Sequence, residues 1–85
     1  MSKRVAVMSI IVEKNESAQK LNAILHLASD YIIGRMGIPY REKGVSVISV
    51  VIDAPQDVIS ALSGQIGNLD GVTVKTAYSN VTTDE

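Results

Sequence analysis

Two short stretches, Lys3–Val12 and Val45–Ile52, are rich in β-branched residues and are apolar at both odd and even positions. Successive side chains of a strand point to opposite faces of a sheet, so a strand that is apolar at both parities is covered on both faces. In each stretch a serine, Ser9 or Ser49, interrupts the apolar residues at the odd positions. We therefore expect two strands that are covered on both faces of the sheet.

The region between these strands predicts a β-hairpin. The run Tyr31–Tyr40 is β-rich and is followed by the charged turn Arg41–Gly44, where Gly44 can adopt a positive φ. Pro39 cannot donate a hydrogen bond to a ladder, so this run is predicted to be an edge strand. Two glycines within the run indicate a bulge, or a close approach by another chain.

Two helices are predicted from apolar residues at three- and four-residue spacing. The first begins where Asn15 or Ser17 can accept hydrogen bonds from free N–H groups, and it ends near Ser29. The second has Pro55 in its first turn and Gly67 as its C-terminal cap. The apolar positions are Ala18, Leu21, Ile24, Leu25 and Ala28 in the first helix, and Val58, Ile59, Leu62 and Ile66 in the second.

The last strand is predicted at Val72–Ser79, and the polar tail Asn80–Glu85 is expected to be frayed. The resulting order, βαββαβ, with right-handed crossovers predicts an α+β, ferredoxin-like sandwich. It has a four-stranded antiparallel sheet, with the first and third strands in the middle and both helices on one face. The chain is expected to be a single domain over residues 1–85, ordered from about residue 3 to residue 79, with the second face of the sheet open.

Composition excludes several classes of function. The 85-residue chain has no cysteine, which rules out disulfides and thiolate metal sites. Its net charge of −1 argues against a free-standing nucleic-acid binder. The only histidine, His26, is expected on the solvent side of the first helix, so we predict no catalytic site, no metal site and no cofactor. No apolar run approaches the roughly 18–20 residues that span a bilayer, and we expect a cytoplasmic protein.

Strand parity indicates a candidate ligand site on the open face. If Met36 faces the helices, Arg35 points to the open face. Lys75 on the last strand is expected to point to the same face. Together with Ser9 and Ser49, these cations would form a pocket for a small polar or anionic ligand. The alternative is that Arg35 and Lys75 are ordinary surface cations that extend their apolar stems along the protein.

The apolar residues of the open face predict that the protein is not a monomer. Exposed apolar patches of this kind usually mark an interaction site. A symmetric homodimer, or a tetramer built from two dimers, is the expected assembly. The predicted interface residues are Val5, Val7, Ile11, Val47 and Val51.

Three runs of the sequence carry a resemblance to a known family: Tyr31–Gly44 (YIIGRMGIPYREKG), Val58–Gly64 (VISALSG) and Lys75–Ser79 (KTAYS). They resemble the small regulators of the iron-only hydrogenase system, and the similarity extends over nearly the whole chain. The resemblance implies a ferredoxin-like fold of the ACT type and a role in transcriptional or maturation control of iron-only hydrogenase. It transfers no catalytic residues.

A more distant similarity is to the C-terminal domain of the nickel-responsive repressors, but this chain departs from that pattern. It has no cysteine and one histidine, so a square-planar nickel site cannot be built from these residues. ACT-type domains bind amino acids at a glycine-bearing loop between the first strand and the first helix. Here that loop is Glu13–Glu16 and contains no glycine.

Three functions are compatible with these features. The leading one is a small ligand-sensing regulatory module that acts by changing assembly or partner contacts. The second is an oligomerisation or protein-interaction module without a small ligand. The third is DNA binding by the oligomer through Arg35, Arg41 and Lys43. DNA binding by this chain alone is not expected.

Overall fold

A computed structural model describes the backbone of residues 2–84 and the side chains of residues 2–81. The elements are β1 (Ser2–Val12), α1 (Glu16–Leu27), a 3-10 turn (Ser29–Tyr31), β2 (Ile32–Tyr40), β3 (Val45–Ala54), α2 (Gln56–Gly67) and β4 (Val72–Asp84). The four strands form one antiparallel sheet in the order β2-β3-β1-β4. The predicted ferredoxin-like fold is confirmed, with β1 and β3 in the middle and the Pro39 strand at an edge.

The core lies between the two helices and one face of the sheet. Alternate residues of the central strands point to the helices and are almost completely buried, as Met8, Ile10 and Ile52 illustrate. The helices contribute the apolar residues of their inner faces. The fully buried helix residues that meet this layer include Leu21, Leu25, Ile59 and Ile66. Because one sheet face takes all of this packing, the helices leave the other face uncovered.

The β2–β3 turn has the predicted geometry. Gly44 has a φ of 68°, and its N–H donates to the carbonyl of Arg41 at 3.2 Å. This left-handed conformation is one that β-branched residues avoid. The turn fixes the register of the hairpin, so that Tyr40 pairs with Val45.

The predicted helix caps differ from the observed ones. Asn15 occupies the N-cap of α1, but its side chain makes no capping hydrogen bond. Ser17 is buried, and its hydroxyl donates to the backbone carbonyl of Asp70 at 2.6 Å. In α2, Gly67 is the last helical residue and Asn68 occupies the C-cap in a right-handed conformation. The Ser17 hydroxyl is used in a tertiary contact with the turn before β4, which the local sequence does not reveal.

The last strand is longer than predicted. β4 continues to Asp84 and pairs with the first residues of β1, where Ser2 lies opposite Asp84 and Arg4 opposite Thr82. The register shifts between Arg4 and Ala6, which accommodates the extra residues of β4. The prediction of a frayed tail from Asn80 is therefore wrong as far as Asp84, and Glu85 lies outside the described residues.

One residue of β2 is not matched by a residue of β3. Ile32 pairs with Ile52 and Gly34 pairs with Val51, so Ile33 is the extra residue of a β-bulge. A bulge of one residue exchanges the two faces of the strand beyond it. The residues from Gly34 onward therefore have the opposite orientation to the one that an unbroken strand would give them.

None of the helices in the described part of the chain combines the length and apolar character that crossing a membrane requires.

Candidate functional site on the open face of the sheet

The open face is defined by the cross-strand register, because directly paired residues point to the same face. In β1 and β3 its members are the residues at odd positions, and in β2 they are the even-numbered residues beyond the bulge. We call this surface the open face. Its residues from the four strands are Val5, Val7, Ser9 and Ile11; Gly34, Met36, Ile38 and Tyr40; Val45, Val47, Ser49, Val51 and Asp53; and Thr73, Lys75 and Ala77.

Large apolar side chains on the open face reach solvent. Ile11 is 42% exposed, Val47 is 40% exposed and Ile38 is 54% exposed. Ile10 and Val12, the neighbours of Ile11 on the helix side of β1, are buried. All five residues predicted to form an interface lie on this face. Met36, which had been assigned to the helix side, is here as well and is 62% exposed. The open face is therefore largely aliphatic across β2, β3 and β1.

A polar row crosses the middle of this apolar surface. Ser9 pairs with Ser49 on one side and with Lys75 on the other. Met36 completes the row at the β2 edge, opposite Ser49. Three of the four residues predicted to bind a ligand are thus brought together, and Lys75 supplies a positive charge beside two hydroxyl groups.

Arg35 does not belong to this row, and its predicted position on the open face is wrong. It pairs with the buried Val50 and points to the helix side, where its Nη2 donates to Oδ1 of Asn22 at 2.9 Å. The physical reason is the bulge at Ile33, which reverses the orientation of every later residue in β2. A glycine pair in an edge strand signals a bulge, but it does not say which residue is the extra one.

Asp53 is a feature of the open face that the sequence did not assign to it. It lies within β3 opposite Val5. Its Oδ1 is buried and has no hydrogen-bond partner among the side chains and backbone of the described residues. A buried polar atom without a partner is costly, so this oxygen calls for a donor.

Other chemistry-bearing residues do not assemble into a site. Among the side chains described, those of residues 2–81, no group of three or more histidines and carboxylates could hold a metal ion. His26 is exposed on α1, as predicted. Arg41 and Lys43 lie in the exposed hairpin turn, and Arg35 is six residues earlier in β2, about 20 Å away at 3.3 Å per residue. The three cations therefore do not form one compact patch.

One ion pair joins the connection after β1 to the turn before β4. Nζ of Lys14 lies 2.8 Å from Oδ2 of Asp70, and both side chains are largely exposed. The hydrogen bond from Lys14, followed by its charge, lowers the pKa of the Asp70 carboxyl below 3.8. The same contact raises the pKa of Lys14 above 10.5. This pair belongs to the end of the sheet and not to the open face.

The fold and this surface define a class of protein: a ferredoxin-like α+β module with two helices on one sheet face and an apolar second face. Comparison with known families gives a narrower answer. The chain belongs to the TM1266-like family, described as "Iron-only hydrogenase system regulator, putative", whose model matches residues 4–76.

A solved structure supports this membership. Protein TM1266 from Thermotoga maritima is 36% identical, with a TM-score of 0.86, and the match covers 89% of this chain and 96% of that one. The resemblance found in the sequence is confirmed by both comparisons. A comparison with curated proteins gives no match.

More distant structures share only the fold. A formyltetrahydrofolate deformylase from Pseudomonas putida KT2440 is 13% identical with a TM-score of 0.66, and the match covers 91% of this chain and 29% of that one. The apo form of CPII from Thiomonas intermedia K12, a nitrogen regulatory PII-like protein, is 12% identical with a TM-score of 0.59. That match covers 99% of this chain and 98% of the other.

Proposed function

We propose that this chain is a non-enzymatic regulatory module of the iron-only hydrogenase system that self-assembles through the open face of its sheet. In the same proposal, a small polar or anionic ligand binds at the polar row within that face and changes the assembly. The observation that carries the proposal is the exposure of Ile11, Val47, Met36 and Ile38 together on the open face.

The size of the open face supports a second copy as its occupant. The sheet has four strands, at about 4.8 Å separation, and about five rows of side chains at about 6.8 Å, which gives a flat area on the order of 500 Å². Side-chain relief makes the accessible area larger. A standard interface takes about 800 Å² from each partner, so two open faces packed together provide an interface of that order.

The charges of the open face also favour a second copy. Lys75 brings positive charge to this face, as does Lys3, the odd-numbered residue of β1 that precedes Val5 on the same face. Asp53 brings a carboxylate whose Oδ1 has no partner within the described residues. A surface that carries both signs can be complementary to itself in a two-fold arrangement.

The polar row supplies the proposed ligand seat. Ser9 and Ser49 offer hydroxyl groups, and Lys75 offers an ammonium group at the edge of the same row. When two such faces meet, these groups are removed from bulk water, which strengthens their interaction with a polar ligand. A ligand held between the copies would then stabilise one assembly state over another.

The assembly is tested by light scattering on the wild type and two glutamate variants. Val47→Glu places a carboxylate in the proposed interface, where an unpaired buried charge is costly, so the protein should become monomeric. Leu27→Glu is the matched control, because Leu27 is 88% exposed on α1, on the other side of the sheet. A monomeric wild type at micromolar concentration, or dissociation by Leu27→Glu instead of Val47→Glu, would contradict the proposal.

The regulatory part is tested in cells that contain an iron-only hydrogenase. Deleting the gene should change hydrogenase activity, and the wild-type gene should restore it. Val47→Glu should fail to restore it, whereas Leu27→Glu should succeed. If the deletion leaves hydrogenase activity and transcript levels unchanged, the regulatory role is wrong even if the assembly exists.

The alternative is an assembly module that binds no small ligand. Lys75→Gln removes the charge of the polar row and distinguishes the two versions. If a ligand copurifies with the protein, or raises its melting temperature, Lys75→Gln should weaken that effect. DNA contact by the chain itself is not part of the proposal, since the net charge is −1 and the cations of the described chain are dispersed.

A further inference from the structure

A groove with a largely apolar lining and several polar side chains lies on the opposite side of the sheet from the open face, between α1 and the edge strand β2. Its volume is about 580 Å³. This volume falls within the range of about 300–1,000 Å³ that is typical of small-molecule sites. Four side chains with hydrogen-bond donors line it, Asn22, His26, Ser29 and Arg35, over apolar contacts from Leu25 and Ile32. We call it the α1–β2 groove.

The bulge in β2 is what brings Arg35 into this groove. Without the extra residue Ile33, the guanidinium would lie on the open face with Val51 and Ser49. With it, Arg35 pairs with Val50 and projects toward α1. Bulges are frequent where a strand has to redirect a side chain into a site. The redirected residue here is the only cation among the groove residues.

Arg35 is held in place by a bond that leaves most of its donors available. Its Nη2 donates to Oδ1 of Asn22 at 2.9 Å, which uses one of the five N–H groups of a guanidinium. The same bond orients the Asn22 amide, so its NH₂ group remains free to donate. The remaining N–H groups of the guanidinium can bind the planar or tetrahedral face of an oxyanion.

The geometry points to a small organic oxyanion, a carboxylate or a phosphate ester, as the ligand of the α1–β2 groove. The guanidinium of Arg35 would bind the anionic oxygens in its two-pronged geometry. The Asn22 amide, the Ser29 hydroxyl and an N–H of His26 are further donors around the same space. The ligand's apolar part would lie against Leu25 and Ile32.

Two features oppose an anion at this position, and both are smaller than the charge of Arg35. The carbonyl end of α1, at Leu27, carries a partial negative charge equivalent to about half an electron. Asp30 is the nearest carboxylate in sequence, but it is not among the residues that line the groove. Because several lining residues are exposed to solvent, binding should be weak and selective for oxyanions.

The test is an NMR titration of isotope-labelled protein with two probes, inorganic phosphate and succinate. Both should produce saturable shifts at the Asn22 side-chain amide and the His26 backbone amide. Arg35→Gln should weaken the binding tenfold or more, because it removes a charge-assisted pair of hydrogen bonds. Arg35→Lys keeps the charge but loses the fork, and should bind between the two.

The open face provides the control for this site. Lys75→Gln removes a cation from the polar row on the other side of the sheet and should leave the groove shifts unchanged. If Lys75→Gln abolishes the binding and Arg35→Gln does not, the anion binds on the open face and the groove assignment is wrong. This inference does not depend on self-assembly, so a monomeric protein would leave it intact.

Sodium chloride at matched ionic strength separates recognition from screening. Chloride should cause small, linear shifts without saturation. If chloride reproduces the phosphate and succinate shifts, or if neither oxyanion causes saturable shifts at tens of millimolar, the groove is not an oxyanion site. If both oxyanions bind saturably, the relative affinities of phosphate and succinate indicate whether the physiological ligand carries a phosphate or a carboxylate.

Discussion

The two faces of the central strands differ although their sequences alternate between equally apolar side chains. Ile10 is fully buried under the helices, whereas its neighbour Ile11 is 42% exposed on the open face. Val50 and Val47 of β3 show the same contrast. The helix side is covered within one chain because two amphipathic helices return to it. The open face is as apolar as a buried face, but no element of the described chain covers it.

The contrast teaches that alternation within a strand does not identify which face is internal to the chain. What distinguishes the faces is the serine in the middle of each open-face parity, Ser9 in β1 and Ser49 in β3. A hydroxyl can be accommodated at an interface that retains water, but it would need a partner in a dry core. This interpretation makes the open face an interface and the helix side a core.

The largest expected difference between the faces comes from truncating two adjacent residues of β1. Ile10→Ala leaves a cavity in the core and should lower the free energy of unfolding by about 2–5 kcal/mol. Ile11→Ala removes a side chain that is partly in water, so it should cost about 1 kcal/mol or less in dilute protein. Chemical denaturation of both variants measures the difference.

Protein concentration sharpens this comparison. If a second copy covers the open face, the effect of Ile11→Ala should grow as concentration rises, since only the assembled state contains the contact. The effect of Ile10→Ala should also persist at the lowest concentration. Equal losses for both variants in monomeric protein would mean that the two faces do not differ as described.

The hairpin turn determines which residues of β2 reach each face, and Gly44 is the position where it can be broken. Gly44→Val forces a β-branched residue to a φ of 68°, which should cost about 1–3 kcal/mol. Gly34→Val is the matched control within β2. No heavy atom lies within 4 Å of a Cβ built at Gly34, and its φ is not positive.

Thermal denaturation of the two glycine variants should therefore give opposite results. Gly44→Val should lower the melting temperature, whereas Gly34→Val should leave it unchanged or raise it, because valine favours a strand. If Gly44→Val melts like the wild type, the turn does not control the register. If Gly34→Val lowers the melting temperature as much as Gly44→Val, the backbone beside the bulge at Ile33 tolerates a side chain less well than the open space around Gly34 indicates.

The fold could be predicted from the sequence because each of its determinants is local. Pro39 indicates an edge strand, Gly44 a left-handed turn residue, and the spacing of Leu21 and Leu25 an inner helix face. These signals are consistent with one another, and together they leave few alternatives to the βαββαβ order. The five apolar residues predicted for the second face all lie there, since the parity of β1 and β3 is unbroken between them.

The candidate site was predictable only in part, because orientation along an edge strand is not a local property. Ser9, Ser49 and Lys75 lie in one row because β1, β3 and this part of β4 pair without interruption. Arg35 was assigned to the wrong face because one extra residue, Ile33, reverses its orientation. The pairing with β3 determines which residue bulges, and that pairing depends on contacts distant in sequence.

The smallest expected effect comes from the Lys14–Asp70 ion pair, which belongs to neither face and serves as a reference for exposed contacts. Exposed ion pairs contribute little to stability. Asp70→Asn should remove the ionic contact while keeping the backbone carbonyl that accepts from Ser17. The melting temperature should fall slightly at neutral pH, and added salt should reduce the difference from the wild type.

The pH dependence of that difference has a definite sign. The pKa of Asp70 is lower in the folded state than its usual 3.8, so the contribution of the pair is present above that pH and is lost as pH falls through the folded-state pKa. The pKa of Lys14 is raised above 10.5, so the contribution is present below that pH and is lost as pH rises through the folded-state value. The melting temperatures of wild type and Asp70→Asn should converge at both extremes. Asp30→Asn, which removes an exposed carboxylate outside the ion pair, should not reproduce this pattern. A difference between wild type and Asp70→Asn that persists at both extremes would mean that the substitution acts through something other than the charge of Asp70.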